Sequence, residues 1–152
     1  MSVLSAQTIR RLELIKPCLD PPAKDALGNS IGLSCCGYDL TTIGNLIIGP
    51  GAFLLAGAAE YFNLPPNVVG IVHDKSSLAR KGLVVQNTVA EPGWRGYLTL
   101  ELTNHGGSML RFPKGCAIAQ VVFHFLDQPT ERPYEGKYQD QQLGPVGAKE
   151  DR

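Results

Sequence analysis

Apolar residues recur in two rhythms along this chain. Near the start, Ile9, Leu12 and Ile15 fall at helical spacing behind Ser5, a residue type suited to capping, and Pro17 ends the run. This pattern predicts a helix over residues 5–15, followed by a loop at Pro21-Pro22. Beyond it the rhythm shortens to that of strands. Asn45-Leu46-Ile47-Ile48 reads as a short strand closed by Gly49-Pro50-Gly51, and residues 52–56 read as another. Pro65-Pro66-Asn67 is a turn before a strand over 68–72, residues 82–86 are short and apolar, and Glu91-Pro92-Gly93 signals another turn. The cleanest alternation spans 97–103, with Tyr97, Thr99, Glu101 and Thr103 on one face and Leu98, Leu100 and Leu102 on the other. His105-Gly106-Gly107 ends that strand. A strand over 109–112, a turn at 113–115 and a long strand over 117–125 follow. Past Asp127 the aliphatics thin out, so residues 128–152 read as a mobile tail or a lid and not as core. The elements predict a mainly β single domain over 1–127, a compact sandwich or barrel with one N-terminal helix.

Composition narrows the function classes. A chain of 152 residues with 43% hydrophobic content holds one ordinary globular domain. The 17 Gly and 11 Pro suit many short strands and tight turns. Lys plus Arg total 14 and Asp plus Glu total 14, which argues against a broad cationic face for duplex nucleic acid but not against a small anionic ligand. No apolar run approaches the roughly 18 residues of a membrane span, and the opening residues lack the layout of a secretory leader. Cys18, Cys35, Cys36 and Cys116 form no C-x-x-C pair, which points to reduced thiols and a cytoplasmic protein. His73, His105 and His124 are scattered, with none in H-x-E or H-E-x-x-H spacing, so a zinc deaminase or zinc hydrolase is not expected.

Several segments could carry chemistry. In 74–82, Lys75, Ser76, Ser77 and Arg80 bracket a turn; if Ser76 or Ser77 caps a helical turn, free N–H groups and two cations form a phosphate-sized anion site. The bland reading is an ordinary capped turn with solvated charges, and spacing alone favours it. Glu101 sits mid-strand, where acids are depleted, so it is either a surface acid or a functional one. In 91–96, Gly93 and Gly96 permit a hairpin whose backbone approaches a ligand closely, while Trp94 reads better as a core plug than as a base-stacking ring. Asp39 in Gly37-Tyr38-Asp39-Leu40 reads as an acid near a loop, with a turn-capping Asp as the bland reading, and residues 137–142 read as disorder.

Taken in order, GYDL, KSSLARKGL, EPGWRGYLTLELTN, Ala119-Gln120 and PYEGKYQDQQ resemble the dCTP deaminase branch of the dUTPase and dCTP deaminase superfamily over nearly the whole chain. The resemblance implies a distorted, jelly-roll-like β-barrel. It also implies a homotrimer with active sites at subunit interfaces and a tail (128–152) that folds over the nucleotide. Magnesium would ride on the triphosphate, with no zinc. Glu101 matches the catalytic glutamate, and Ser76 and Arg80 match residues that orient water and that glutamate. Lys75 and Ser77 match phosphate binders, although many relatives have Arg at the first. Thr99 and Leu100 match backbone contacts to the nucleotide, and Asn87 a backbone carbonyl that holds the water. Gln120, Tyr134, Lys137 and Gln141 match late-strand and lid residues. Glu91 stands where the family usually has Asp, a nucleotide-binding position, so hydrolysis of the triphosphate is open. The implied activity is deamination of dCTP to dUTP and ammonia, with continuation to dUMP and pyrophosphate as a close variant. Alternatives are a dUTPase and a nucleotide-binding regulator; dTTP is a candidate inhibitor.

Overall fold

The computed structural model describes residues 2–86 and 88–150. Its elements are β1 (Ser2–Val3), α1 (Ala6–Arg11), β2 (Ile15–Lys16), β3 (Ala23–Lys24), β4 (Ser30–Leu33), β5 (Gly37–Thr41), β6 (Leu46–Ile48) and β7 (Phe53–Asn63), then β8 (Val68–Asp74), α2 (Ser76–Ala79), β9 (Leu83–Val85), β10 (Val89–Ala90), β11 (Arg95–Asn104), β12 (Leu110–Phe112) and β13 (Ala117–Phe125). One sheet runs β10-β8-β13-β5-β4-β3 with β1 on β13, a second runs β2-β7-β11-β9, and β12 pairs with β6. Every named pairing is antiparallel. The mainly β, jelly-roll-like class expected from the sequence is the observed one.

The two large sheets close on one apolar core. Leu100 and Leu102 of β11 and Ile118 and Phe123 of β13 are fully buried there, and Phe62 of β7 packs its ring 5.7 Å from Trp94 and 6.1 Å from Phe123. Burying side chains of this size stabilises the fold by about 1.5–3 kcal/mol each.

The first helix is shorter than its periodicity suggests. It stops at Arg11, and Glu13 adopts φ 50°. Ile15, the third apolar residue of the expected helix, instead enters β2 and pairs with Phe62. Burial of Leu14 and Ile15 against β7 outweighs helical spacing. Ser5 is the N-cap, but its hydroxyl meets the Thr8 hydroxyl at 3.3 Å and caps no backbone N–H. The strand expected over 52–56 continues to Asn63 as β7. Its register against β11 shifts between Tyr97 and Thr99, where Tyr61 and then Gly57 are the partners, so β7 carries extra residues there. This bulge turns Glu60 into the interior, where Thr41 N–H donates to both carboxylate oxygens at 3.1 Å and the Thr41 hydroxyl donates to Oε1 at 2.7 Å.

Candidate functional site

Glu101 lies in the middle of β11, between Leu55 of β7 and the end of β9, where Gln86 N–H donates to the Glu101 carbonyl at 2.9 Å. Leu100 and Leu102 point away into the core, so Glu101 and Thr99 face the other side. There they border a cleft of about 480 Å³. Leu98 also borders it, so the alternation expected over 97–103 breaks opposite the β7 bulge. Glu91, Thr88, Tyr134 and Gln141 complete the polar lining, and Leu55 and Val89 supply apolar wall. The Thr88 hydroxyl donates to Glu101 Oε2 at 3.2 Å.

A sharp corner builds one wall. Trp94 N–H donates to the Glu91 carbonyl at 3.0 Å, and Gly93 has φ 87°, the values of a type II turn with Pro92 ahead of the glycine. The expected turn is present, but it links β10 in one sheet to β11 in the other and closes no hairpin. Trp94 is buried in the core as expected, and it also borders the cleft.

The chain's own tail approaches this corner. A Cβ on Gly93 would stand 2.6 Å from Pro133 Cβ, and one on Gly96 would stand 2.8 Å from the Gln141 backbone nitrogen. Trp94 Nε1 donates to the Tyr138 carbonyl at 2.8 Å, Tyr97 N–H donates to the Gln141 carbonyl at 3.0 Å, and Gly96 bridges Gln141. Gln141 is buried, and its Nε2 donates to the Thr99 hydroxyl at 2.8 Å, which also accepts Val146 N–H at 2.8 Å. Residues 134–146 therefore lie along the 92–99 segment and reach the mouth beside Glu101. Lys137 is exposed and off the lining; its ammonium donates to the Lys149 carbonyl and lies 5.7 Å from the Tyr138 ring.

A second polar cluster forms elsewhere. Lys75 is the N-cap of α2, so Ser76 begins the helix and neither serine caps it, contrary to the capped turn considered from the sequence. The Lys75 backbone carbonyl accepts the first helical N–H groups, which leaves the cap to the main chain. Lys75 Nζ reaches Asp39 Oδ1 at 2.7 Å, and that buried oxygen has no other polar partner among the described residues. Asp39 lies inside β5, not in a loop as expected, beside Gly32 of β4 and Gln120 of β13. Burial pushes its carboxyl above the usual range, and the Lys75 ammonium opposes that shift. Ser77 Oγ meets Asn29 Oδ1 at 3.4 Å. Ser76 and Arg80 are exposed, and neither side chain makes a hydrogen bond or ion pair among the described residues.

The structure thus brings Glu101, Glu91, Thr99, Tyr134 and Gln141 to one cleft, and Lys75, Ser76, Ser77, Arg80 and Gln120 to the α2 side. Leu100 offers only its backbone, and Asn87 lies outside the described residues. Sequence reasoning missed Asp39 as the partner of Lys75 and Glu60 as a buried acid. Among the described residues no group of three or more His, Cys, Asp or Glu side chains could hold a metal ion. No helix among them is long and apolar enough to cross a membrane.

The family model described as dCTP deaminase-like matches residues 33–126, the span from the end of β4 to the end of β13. The chain belongs to the dCTP deaminase-like family. Within it, the dCTP deaminase of Campylobacter concisus is 32% identical over a 177-residue alignment that covers 93% of this chain and 95% of the relative. The Aquifex aeolicus protein named dCTP deaminase, dUMP-forming, is 45% identical over 95 residues, 62% of this chain and 53% of the relative, so the match spans about half the length of that protein. Among solved structures, the native EIAV dUTPase has a TM-score of 0.57 at 21% identity, over 78% of this chain and 93% of its own. The dUTPase of Staphylococcus bacteriophage 80alpha has a TM-score of 0.58 at 17% identity, over 80% of this chain and 95% of its own. At these identities the two dUTPases share the fold of this family member.

Proposed function

We propose that this chain is a zinc-independent dCTP deaminase that converts dCTP and water to dUTP and ammonia, a step of pyrimidine deoxynucleotide metabolism in the cytoplasm. The observation that carries the reading is Glu101, a mid-strand carboxylate that faces a cleft with an apolar wall, backed by Leu100 and Leu102 in the core. The names of the Campylobacter and Aquifex relatives support the same chemistry.

Hydrolytic deamination needs a group that first accepts and then donates a proton. Glu101 takes a proton from water as the oxygen attacks C4 of cytosine, and delivers it to N3. A second proton passes from the new C4 hydroxyl to the amino nitrogen, and ammonia leaves. Ser76 and Arg80 orient the water and the carboxylate. The complete site is assembled between copies of the chain, in a homotrimer, a reading supported by the separate clusters that the α2 residues and the cleft form. Lys75, Ser77 and the α2 backbone hold the triphosphate, with Gln120 nearby, and Thr99 and Leu100 meet the base through their backbone. Magnesium comes in on the triphosphate as part of the substrate. Tyr134, Lys137 and Gln141 belong to a lid, which the contacts of 134–146 with the 92–99 corner support. dTTP, which presents the same triphosphate, competes for the site.

A bifunctional variant, continuing to dUMP and pyrophosphate, is favoured by a second carboxylate, Glu91, on the same cleft and by the dUMP-forming relative. One product assay tests both. Protein with magnesium is incubated with dCTP or dUTP, and nucleotides and ammonia are followed. Ammonia with persistent dUTP supports deamination alone; dUMP and pyrophosphate from dCTP support the variant. Intact dCTP with cleaved dUTP makes the chain a dUTPase, and no turnover of either favours a nucleotide-binding regulator. Glu101→Gln should abolish ammonia release while nucleotide affinity stays within a few-fold.

A further inference from the structure

The link between β9 and β10 is fastened at residues 86 and 88, the first of them to Glu101 itself. At one end Gln86 N–H donates to the Glu101 carbonyl at 2.9 Å; at the other the Thr88 carbonyl accepts Val72 N–H of β8 at 2.9 Å. Between these ties the Thr88 hydroxyl faces Glu101 Oε2 at 3.2 Å, while its alternative acceptor, the Gln86 carbonyl, is at 3.5 Å. A hydroxyl has one proton to donate, so the nearer carboxylate oxygen takes it. Thr88 is β-branched and stiff at χ1, so a backbone pinned to β8 also sets the direction of its hydroxyl. Glu101 has a long, flexible side chain, and no other described side chain hydrogen-bonds to its carboxylate.

We propose that Thr88 is a positioning residue for Glu101: its hydroxyl occupies Oε2, fixes the plane of the carboxylate and leaves Oε1 as the oxygen that moves protons. This role rests on the deaminase reading above. In that reaction a water proton goes to Oε1 as the water oxygen bonds to C4, and Oε1 passes it to N3. The proton of the new C4 hydroxyl then returns through Oε1 to the amino group, the C4–N bond breaks and ammonia leaves. The Thr88 proton stays on its own oxygen throughout. The carboxylate must be aimed before substrate arrives, because a small error of orientation slows proton transfer without weakening binding.

The experiment compares Thr88→Val, which keeps the shape and removes the hydroxyl, with Thr88→Ser, which keeps the hydroxyl. Ammonia release from dCTP should lose about 10- to 100-fold in kcat in Thr88→Val with KM nearly unchanged, and Thr88→Ser should recover most of kcat. A loss shared by Val and Ser, or confined to KM, overturns the role. A second readout needs no turnover: the Glu101 carboxyl carbon, observed by 13C NMR in the full chain, should shift in Thr88→Val and not in Thr88→Ser. A wild-type chain that releases no ammonia while this shift appears refutes the deaminase reading and leaves the Thr88–Glu101 contact standing. An unmoved resonance in Thr88→Val refutes the contact whatever the activity.

Discussion

Glu60 is a buried acid, 3% exposed, held between β5 and β7 by hydrogen bonds from the Thr41 hydroxyl and N–H. Burial pushes its carboxyl up to about 7 from an ordinary 4.5, against the pull of the Thr41 hydroxyl and N–H. A raised acid favours the protonated folded state. Its stabilising contribution is therefore complete below pH 4.5, declines as pH rises toward 7, and is gone above it. The displacement from 4.5 to about 7, at about 1.4 kcal/mol per unit, corresponds to roughly 3 kcal/mol. Glu60→Gln replaces the acid with a neutral amide of the same shape that still offers an oxygen to Thr41. The variant should lose this component of the pH dependence. Urea unfolding at one protein concentration, followed by the fluorescence of Trp94, would be run from pH 4.5 to pH 8. The stability of Glu60→Gln relative to the parent should climb by roughly 3 kcal/mol across that window, with most of the change below pH 7. Parallel curves for the two proteins would refute the assignment, because every other titrating group is common to both.

Three further outcomes are expected. Arg80→Ala removes an exposed side chain without a partner among the described residues, so turnover of dCTP should fall by about 100-fold or more while stability stays within about 0.5 kcal/mol; an equal loss of both would make Arg80 a structural residue. Ending the chain after Leu126 removes the tail that lies on the 92–99 corner, so KM for dCTP should rise sharply, and unchanged kinetics would mean that the tail is no lid. Gly93→Ala places a methyl 2.6 Å from Pro133 Cβ at a φ of 87°, and urea unfolding should show a loss of about 1–3 kcal/mol with loosened tail contacts; unchanged stability would show that the corner yields easily.

Local signals made part of the fold readable. Proline and glycine marked the Glu91–Trp94 corner, and the leucine alternation of β11 put Glu101 on the face away from the core. The bounds of β13 follow from its mainly apolar run, broken by Gln120 and His124, since it lies between β8 and β5. Nonlocal causes hid the rest. Asp39 makes β5 look like a loop until Lys75, far along the chain, supplies its counter-charge inside the fold. Glu60 interrupts β7 in the sequence, yet a bulge turns it inward and Thr41 of another sheet receives it. Ile15 keeps helical spacing but is claimed by Phe62. The tail is polar and reads as disorder, whereas its glutamines bond to main chain and to Thr99: Gln139 Nε2 donates to the Gly93 carbonyl at 3.0 Å and Gln141 Nε2 to the Thr99 hydroxyl at 2.8 Å. Amide groups that pair with backbone leave no hydrophobic trace.

The separation of Glu101 from Arg80 has a consequence that mixing experiments can read. Glu101 is held by β11 between β7 and β9, a rigid support, while Arg80 ends a four-residue helix with its side chain turned outward. If one chain supplies the carboxylate and its neighbour the guanidinium, two inactive variants can repair each other. Glu101→Gln chains lack the base but carry Arg80; Arg80→Ala chains lack the cation but carry Glu101. Dissociated, mixed in equal amounts and reassembled, they should form a site with both native residues at about one interface in four, because each position is filled at random. Ammonia release should then recover to about a quarter of the parent rate, from two proteins that are each inactive alone. Sites contained within single chains would give no recovery at any mixing ratio. That result would require Arg80 to swing toward Glu101 within its own chain, and the homotrimeric, shared-site arrangement would fall.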